Sequence, residues 1–264
     1  MNTPEFVKFE VTEGVGTLTI NRESKLNALN RQVLEELKTH LSYLRTLNRN
    51  ELLGLILIGA GEKAFIAGAD IAELAKFSSQ EASDVSKLGQ EVSLLLERFN
   101  RPVIACVNGH AMGGGLEMAI SCDILVMTPK ALLALPEVKL GLIPGFGGTQ
   151  RLAKIVGRMR AKELIYSGRV VNAEEALSIG LCLKILPNRQ ELWQWAFDWI
   201  KLCSQNSLLA ISSAKKCLLE GMDVPTSEGL KVEADHFAHL FGSNDMKEGT
   251  SAFLEKRAAT FRHQ

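Results

Sequence analysis

The chain has 264 residues, of which 46% are hydrophobic and 23% are charged, and both shares are close to the averages of globular proteins. This composition excludes a disordered, collagenous or low-complexity chain, and the length suffices for one large domain or for a domain with a smaller appendage. Thirty basic residues balance thirty acidic ones, so the zero formal net charge gives no general attraction for nucleic acid or an anionic membrane.

The cysteine spacing and the apolar run lengths bear on the compartment. The five cysteines include no CxxC pair, which predicts a reduced chain without a disulfide framework or a structural zinc site. The N-terminal residues lack the apolar segment of a signal peptide, and no apolar run approaches the ~18 residues of a membrane span. We therefore expect a cytoplasmic protein without a membrane segment.

The first half of the chain alternates strand patterns with helix patterns. Two β-rich runs around Glu13-Gly14 predict a hairpin, and Asn30 is suited to cap the helix that follows. Short, fully apolar runs are typical of buried parallel strands. The predicted strands cover residues 6–11, 15–20, 53–58, 102–107, 124–127 and 132–135, and the predicted helices start near 30, 80 and 113. This alternation implies crossover connections and an α/β fold with a mostly parallel sheet.

After Gly147 the pattern becomes mostly helical. Apolar residues at helical spacing predict helices over 151–156, 159–166, 173–179, 190–203, 208–220 and 229–241, with one strand over 182–186. We place a boundary near Asn206-Ser207. The chain is thus predicted to consist of a core, residues 1–205, and a C-terminal helical region, residues 206–264.

Three features carry candidate chemistry. The first is a glycine-rich loop, residues 59–70, where small side chains let a ligand approach the backbone. The second is the triple glycine 113–115 at a strand-to-helix junction, whose free N–H groups suit an anion. The third is a pair of glutamates with apolar neighbours, Glu117 and Glu137. Burial would raise the pKa of each carboxyl group toward neutrality, as acid–base catalysis requires.

One competing motif lies in the first of these loops. Gly59-x-Gly61-x-x-Ala64 follows a strand and matches the dinucleotide-binding fingerprint. That fold needs a helix starting inside the motif and an acidic residue at the end of a second strand about 20 residues later. Residues 78–84 are instead polar and open a helix, so we reject a dinucleotide site.

These residues resemble the crotonase (enoyl-CoA hydratase/isomerase) superfamily. The similarity runs through residues 64–71, 104–124 and 135–152, and it continues in 21–29 and 252–257. The resemblance implies a crotonase-like ββα spiral core with a C-terminal helical trimerisation region. It also implies homotrimers or homohexamers and an acyl-CoA thioester substrate. Coenzyme A would be part of that substrate, with no separate cofactor and no metal ion.

The resemblance also implies roles for individual residues. The backbone N–H groups of Ala67 and Gly114 correspond to the oxyanion hole of the family. Glutamates at the positions of Glu117 and Glu137 are typical of its hydratases, whereas isomerases commonly keep an acid only at the second position. We therefore expect an enoyl-CoA hydratase that adds water syn across the C2=C3 bond of a trans-2-enoyl-CoA. An isomerase or another crotonase-fold lyase is the alternative, and an RNA-binding protein on this scaffold is disfavoured by the neutral charge.

The coenzyme A contacts are implied in the same way. The adenine is expected near Lys25 and Leu26. It is also expected near the adjacent residues Ala67, Gly68, Ala69 and Asp70. The family commonly has Arg-Pro-Lys-Ala-Leu-Asn-Ala where this chain has Arg22-Glu-Ser-Lys-Leu-Asn-Ala28. Here Glu23 replaces the proline and the lysine is shifted by one position, which weakens the expectation of a lysine–phosphate contact. Phe253 and Lys256 would reach the coenzyme A of a neighbouring subunit, or would belong to an ordinary C-terminal helix.

Overall fold

The structure is a computed structural model that describes residues 6–263. Its strands are β1 (Val7–Thr12), β2 (Val15–Ile20), β3 (Gly54–Gly59), β4 (Ala64–Ile66), β5 (Val103–Val107), β6 (His110–Met112), β7 (Ile124–Met127), β8 (Leu133–Ala134) and β9 (Lys184–Ile185). Its helices are α1 (Arg31–Leu44), α2 (Ile71–Leu74), α3 (Ser79–Glu97), α4 (Gly114–Ala119), α5 (Gly148–Val156), α6 (Arg158–Ser167), α7 (Ala173–Ser178), α8 (Arg189–Ser204), α9 (Leu208–Gly221), α10 (Thr226–Leu240) and α11 (Asn244–Glu255). Single 3-10 turns cover Glu23–Lys25 and Glu137–Leu140.

Six strands form the main sheet, in the order β1-β2-β3-β5-β7-β9. The β1–β2 hairpin is antiparallel and every other pair is parallel, which confirms the predicted α/β fold. All residues of β3 and β5 are buried because helices cover both faces. Leu55 and Leu57 pack with residues of α1 and α3, while Ile56 and Ile58 pack with α8. This two-sided burial explains why these strands are apolar throughout.

A second, small sheet of three parallel strands decides where the site lies. It has the order β4-β6-β8. The residues of β4 were predicted to lie in the glycine-rich loop 59–70, which is wrong, and no strand was predicted at the residues of β6. Each strand has only three residues and adjoins a glycine-rich segment, so neither shows a readable alternation. Because all three strands are parallel, the segments after them, 67–70, 113–115 and 135–137, emerge at one edge.

The C-terminal region is helical, as predicted, and consists of α9, α10 and α11. The last of these was not among the predicted helices. Ser207 caps α9, because its Oγ accepts from the Ala210 N–H, and the same hydroxyl donates to the buried Asp245. Asp245 also accepts the N–H of His263, whose Nδ1 accepts from Leu208. The start of α9 and the end of the chain are thereby joined, while the division into two domains stays a prediction.

Within residues 6–263, no helix is long and apolar enough to cross a membrane.

Candidate active site

The three segments at the edge of the small sheet line one cavity of about 840 Å³. Its walls also include residues 142–147, the side of α3 and both glutamates singled out in the sequence. Carboxyl ends of parallel strands are a common location for ligand sites, because the loops there converge while the strands hold them rigidly. The glycine-rich loop, the triple glycine and the glutamate pair therefore belong to a single site.

Glu117 is the more deeply buried carboxyl group, with 2% of the residue exposed. It lies on α4, and its Oε1 accepts hydrogen bonds from the N–H groups of Phe146 (2.8 Å) and Gly148 (2.7 Å). Burial raises its pKa above the ordinary value, and the two backbone donors oppose that rise. One carboxylate oxygen is thus held from two sides, which fixes the orientation of the group.

Glu137 is half-buried at the start of the 3-10 turn that follows β8. Burial raises the pKa of its carboxyl group to about 7, and the charge of Glu117 adds to this rise. Its Oε2 is buried and has no hydrogen-bond partner within residues 6–263. A carboxyl group of this kind exchanges its proton easily at neutral pH, as a general acid or base must.

The junction between β6 and α4 requires glycine for two different reasons. Gly113 has φ +50°, a region that other residues rarely adopt. A Cβ atom on Gly115 would lie 2.0 Å from the carbonyl oxygen of Ile66, so only glycine lets α4 approach β4. The Gly114 N–H belongs to the first turn of α4, where N–H groups have no acceptor inside the helix. The predicted helix start near residue 113 is confirmed, and the strand that leads into it is β6.

The N–H of Ala67, the other expected oxyanion donor, has an acceptor in this structure. It donates to the carbonyl oxygen of Leu26 at 3.1 Å. Leu29 and Gly68 continue the pairing, because the Leu29 N–H donates to the Gly68 carbonyl at 2.8 Å. The segment that carries Lys25 and Leu26 thus runs beside residues 67–70, so the structure brings together two of the segments expected to hold coenzyme A. Lys25 is exposed.

Asp70 contacts protein groups on both sides. Its Oδ2 pairs with the Arg22 guanidinium at 2.9 Å, and its Oδ1 accepts from the Ala72 N–H at the start of α2. The arginine holds the pKa of this carboxyl group below its usual range. In the structure, Asp70 therefore fastens the 67–70 segment to Arg22, while its predicted contact with coenzyme A stays a prediction.

Asn27 is a residue of this region that the sequence analysis missed. It is buried and has φ +59°. Its Nδ2 donates to the carbonyls of Ala60 and Ala64, both at 2.9 Å, and its Oδ1 accepts from the Arg22 N–H. The only available signal was the asparagine itself, a residue that tolerates positive φ.

Phe253 and Lys256 lie away from this cavity. Phe253 is 83% exposed on α11, and Lys256 ends that helix with φ +55°. Neither is among the residues of the described chain that line the cavity. Their predicted contact with coenzyme A stays a prediction.

The backbone after β3 excludes the competing dinucleotide motif. The chain passes from Gly59 through a short loop into β4, so no helix begins inside Gly59-x-Gly61-x-x-Ala64. The helix start that this motif needs is absent there, as the sequence analysis expected.

The fold and the site define an enzyme class when compared with known proteins. The profile of the family "Enoyl-CoA hydratase/isomerase" matches residues 10–264. A solved structure of an enoyl-CoA hydratase from Bacillus anthracis superposes with a TM-score of 0.93 and is 34% identical, covering 98% of this chain and 100% of that chain. The chain belongs to the enoyl-CoA hydratase/isomerase family, and the resemblance found in the sequence is confirmed.

Two relatives whose names specify a narrower activity are similar to this chain over nearly their whole length. A crotonyl-CoA hydratase of Syntrophomonas wolfei is 42% identical over 257 residues, which cover 97% of this chain and 98% of that protein. A short-chain-enoyl-CoA hydratase of Clostridium acetobutylicum is 41% identical over 243 residues, 92% of each chain.

Proposed function

We propose that this protein is an enoyl-CoA hydratase. It adds water reversibly and syn across the C2=C3 bond of a trans-2-enoyl-CoA and gives a 3-hydroxyacyl-CoA. The observation that carries this proposal is the difference between the two carboxyl groups on one cavity. Glu117 is held by two backbone donors, whereas Glu137 has a pKa of about 7. Two carboxyl groups whose environments differ in this way have different pKa values, so one can act as the acid and the other as the base.

The two glutamates share the work on one water molecule. The Oε1 of Glu117 is occupied by backbone N–H groups, which leaves Oε2 to accept a proton from the water. The water oxygen forms its bond to C3, and protonated Glu137 delivers a proton to C2. The proton has then moved from Glu137 to Glu117, and its return between the two groups restores the starting state. Positioned acid–base groups contribute about 10²- to 10⁴-fold each.

The charge that develops on the thioester oxygen needs stabilisation. We assign this role to the N–H groups of Ala67 and Gly114, which follow the adjacent parallel strands β4 and β6. A preorganised donor of this type contributes about 10²- to 10³-fold. The Ala67 N–H has to exchange or share its Leu26 acceptor when the substrate binds.

Coenzyme A is part of the proposed substrate, and the proposed hydration uses no further cofactor and no metal ion. Its contacts would come from Lys25, Leu26 and residues 67–70, with Phe253 and Lys256 supplied by a neighbouring copy in a homotrimer or homohexamer. The crotonyl-CoA and short-chain hydratases among the relatives support a short acyl chain. A cytoplasmic location stays a prediction.

The test is the loss of enoyl-thioester absorbance with crotonyl-CoA, with product analysis for 3-hydroxybutyryl-CoA. Glu117→Gln and Glu137→Gln should each lower kcat by at least about 10²-fold. Glu91→Gln is the matched control, because Glu91 lies on α3 and pairs at the surface with Lys38. Isomerisation of a β,γ-enoyl-CoA without any 3-hydroxyacyl-CoA would reject the proposal and favour an isomerase.

A further inference from the structure

A row of polar side chains on α3 faces the loop that holds Glu117. Ser86, Gln90, Ser93 and Glu97 follow one another at steps of four, three and four residues, so they share one face of the helix. This loop comprises residues 145–148. Residues 145–147 belong to the cavity wall, and Gly148 is the first residue of α5.

Three members of this row hold carbonyl groups of the loop. The Ser86 hydroxyl and the Gln90 amide both donate to the Gly145 carbonyl, at 2.7 and 3.0 Å. The Ser93 hydroxyl is fully buried and lies 2.8 Å from the Gln90 carbonyl and 2.9 Å from the Phe146 carbonyl, and these two oxygens share its one hydrogen. The loop is thus tied to α3 through its carbonyl oxygens, while its N–H groups point to Glu117.

Arg151 completes the attachment from α5. Its Nε and Nη2 donate to the two carboxylate oxygens of Glu97, at 3.0 and 2.8 Å. Its Nη1 donates to the Phe146 carbonyl and to Ser93 Oγ, both at 3.1 Å. The side chain of Arg151 is 11% exposed and that of Glu97 is 25% exposed. Four of the five N–H groups of Arg151 donate to protein acceptors, so Arg151 acts as a structural donor at this edge of the cavity.

We propose that Ser93, Glu97 and Arg151 are positioning residues for Glu117 in the proposed hydration. They fix the Phe146 carbonyl, and through the same peptide loop they hold the N–H groups of Phe146 and Gly148 on one oxygen of Glu117. The inference rests on the proposed function, because it assigns Glu117 a catalytic carboxylate whose direction matters. Displacements of about 1 Å in such groups cost about 10²-fold in rate.

The anchor also affects the protonation of Glu117. Hydrogen bonds from the two N–H groups stabilise the carboxylate, so they lower a pKa that burial raises. When the loop loses its anchor, these bonds weaken and the pKa of Glu117 rises. A residue that only stabilised the fold would leave this pKa and the kcat of the folded protein unchanged.

The experiment compares Ser93→Ala, Glu97→Gln and Arg151→Lys with the wild type and with Glu91→Gln as the control on the same helix. We expect kcat with crotonyl-CoA to fall about 10- to 100-fold in the three variants while KM changes far less. Arg151→Lys should not restore activity, because an ammonium group cannot reproduce the paired contacts with Glu97. The Glu97→Gln and Arg151→Lys effects should not add in the double variant.

A second readout is independent of turnover. The pKa of Glu117, followed by carboxyl-carbon NMR, should rise in the three variants and stay constant in Glu91→Gln. Folded variants with unchanged kcat and an unchanged pKa of Glu117 would overturn the inference. A wild type that does not hydrate enoyl-CoA would reject the proposed function, and the pKa of Glu117 would still decide whether the anchor positions this carboxylate. Ser93→Ala, which removes a single hydroxyl group, keeps the test valid if the charged variants do not fold.

Discussion

The Ala67 N–H donates to the Leu26 carbonyl at 3.1 Å, and both residues lie in segments that we propose to bind the substrate. In the proposed reaction the same N–H stabilises the thioester oxygen. The Ala67 N–H and the Leu26 carbonyl would therefore both take part when coenzyme A binds beside Leu26. The same two groups would separate when the Ala67 N–H turns to the thioester oxygen.

The Ala67 N–H should respond more strongly to the thioester than to coenzyme A alone. We expect the amide NMR signal of Ala67 to shift when 3-hydroxybutyryl-CoA is added, because the thioester oxygen then competes with the Leu26 carbonyl. Free coenzyme A, which lacks the thioester, should cause a smaller shift, through its proposed contacts with Leu26 and residues 67–70. Equal shifts with both ligands would contradict an oxyanion role for Ala67.

Hydration should depend on the protonation of Glu137. The pKa of this group is raised to about 7, and hydration uses its protonated form. We expect kcat/KM for crotonyl-CoA to fall about tenfold per pH unit above about pH 7. The reverse dehydration needs the same total number of protons on the two glutamates, and the net reaction releases none, so its kcat/KM should fall with the same slope. Profiles that stay flat through this range in both directions would show that Glu137 is not the titrating acid.

Glu137→Gln should stabilise the fold, and only at the higher pH values. The carboxyl group titrates near 7 in the folded protein against 4.5 as its ordinary value, so the folded state disfavours the ionised form. This cost is absent below about pH 4.5, grows as pH rises, and is complete above about pH 7. After allowance for partial exposure, we expect a gain of about 1–2 kcal/mol in unfolding free energy above pH 7. Denaturant unfolding at low and high pH measures it, and equal gains at both would contradict the prediction.

Gly148→Ala should impair catalysis through Glu117. A Cβ atom at position 148 would lie 2.9 Å from both Cγ and Oε1 of Glu117, so the carboxylate has to move. We expect kcat to fall about 10²-fold while coenzyme A binding persists. Gly242→Ala is the matched control, because its Cβ would meet only a carbonyl oxygen at 3.6 Å. Equal kcat values for the two variants would show that the position of Glu117 tolerates the displacement.

Asn27 should matter through its side-chain hydrogen bonds. Both Asn27→Ala and Asn27→Gly leave the Ala60 and Ala64 carbonyls without their donor, which costs about 1–3 kcal/mol for each unpaired buried group. Glycine removes the strain of the positive φ, so Asn27→Gly should be the less destabilised of the two. Thermal unfolding and the KM for crotonyl-CoA test this. A variant with wild-type stability and KM would show that the turn does not need these bonds.

Much of the fold follows from local patterns in the sequence. The β1–β2 hairpin, the apolar strands β3 and β5 and the helices α5 to α10 were all predicted, because each carries its own periodicity or turn residues. The family motifs identified the superfamily, and the apolar neighbours of Glu117 and Glu137 indicated the raised pKa values that burial produces.

The tertiary structure decided what the local patterns could not contain. Strands β4 and β6 are three residues long and exist because they pair with each other and with β8, across gaps in the chain that no local periodicity spans. That pairing brings residues 67–70, 113–115 and Glu137 to one edge. The Leu26–Ala67 hydrogen bond and the attachment of the 145–148 loop to α3 are likewise contacts between distant segments. The residue types of the site were thus determined by the sequence, whereas their partners and protonation were decided by long-range packing, because burial and hydrogen bonding depend on every segment that surrounds a group.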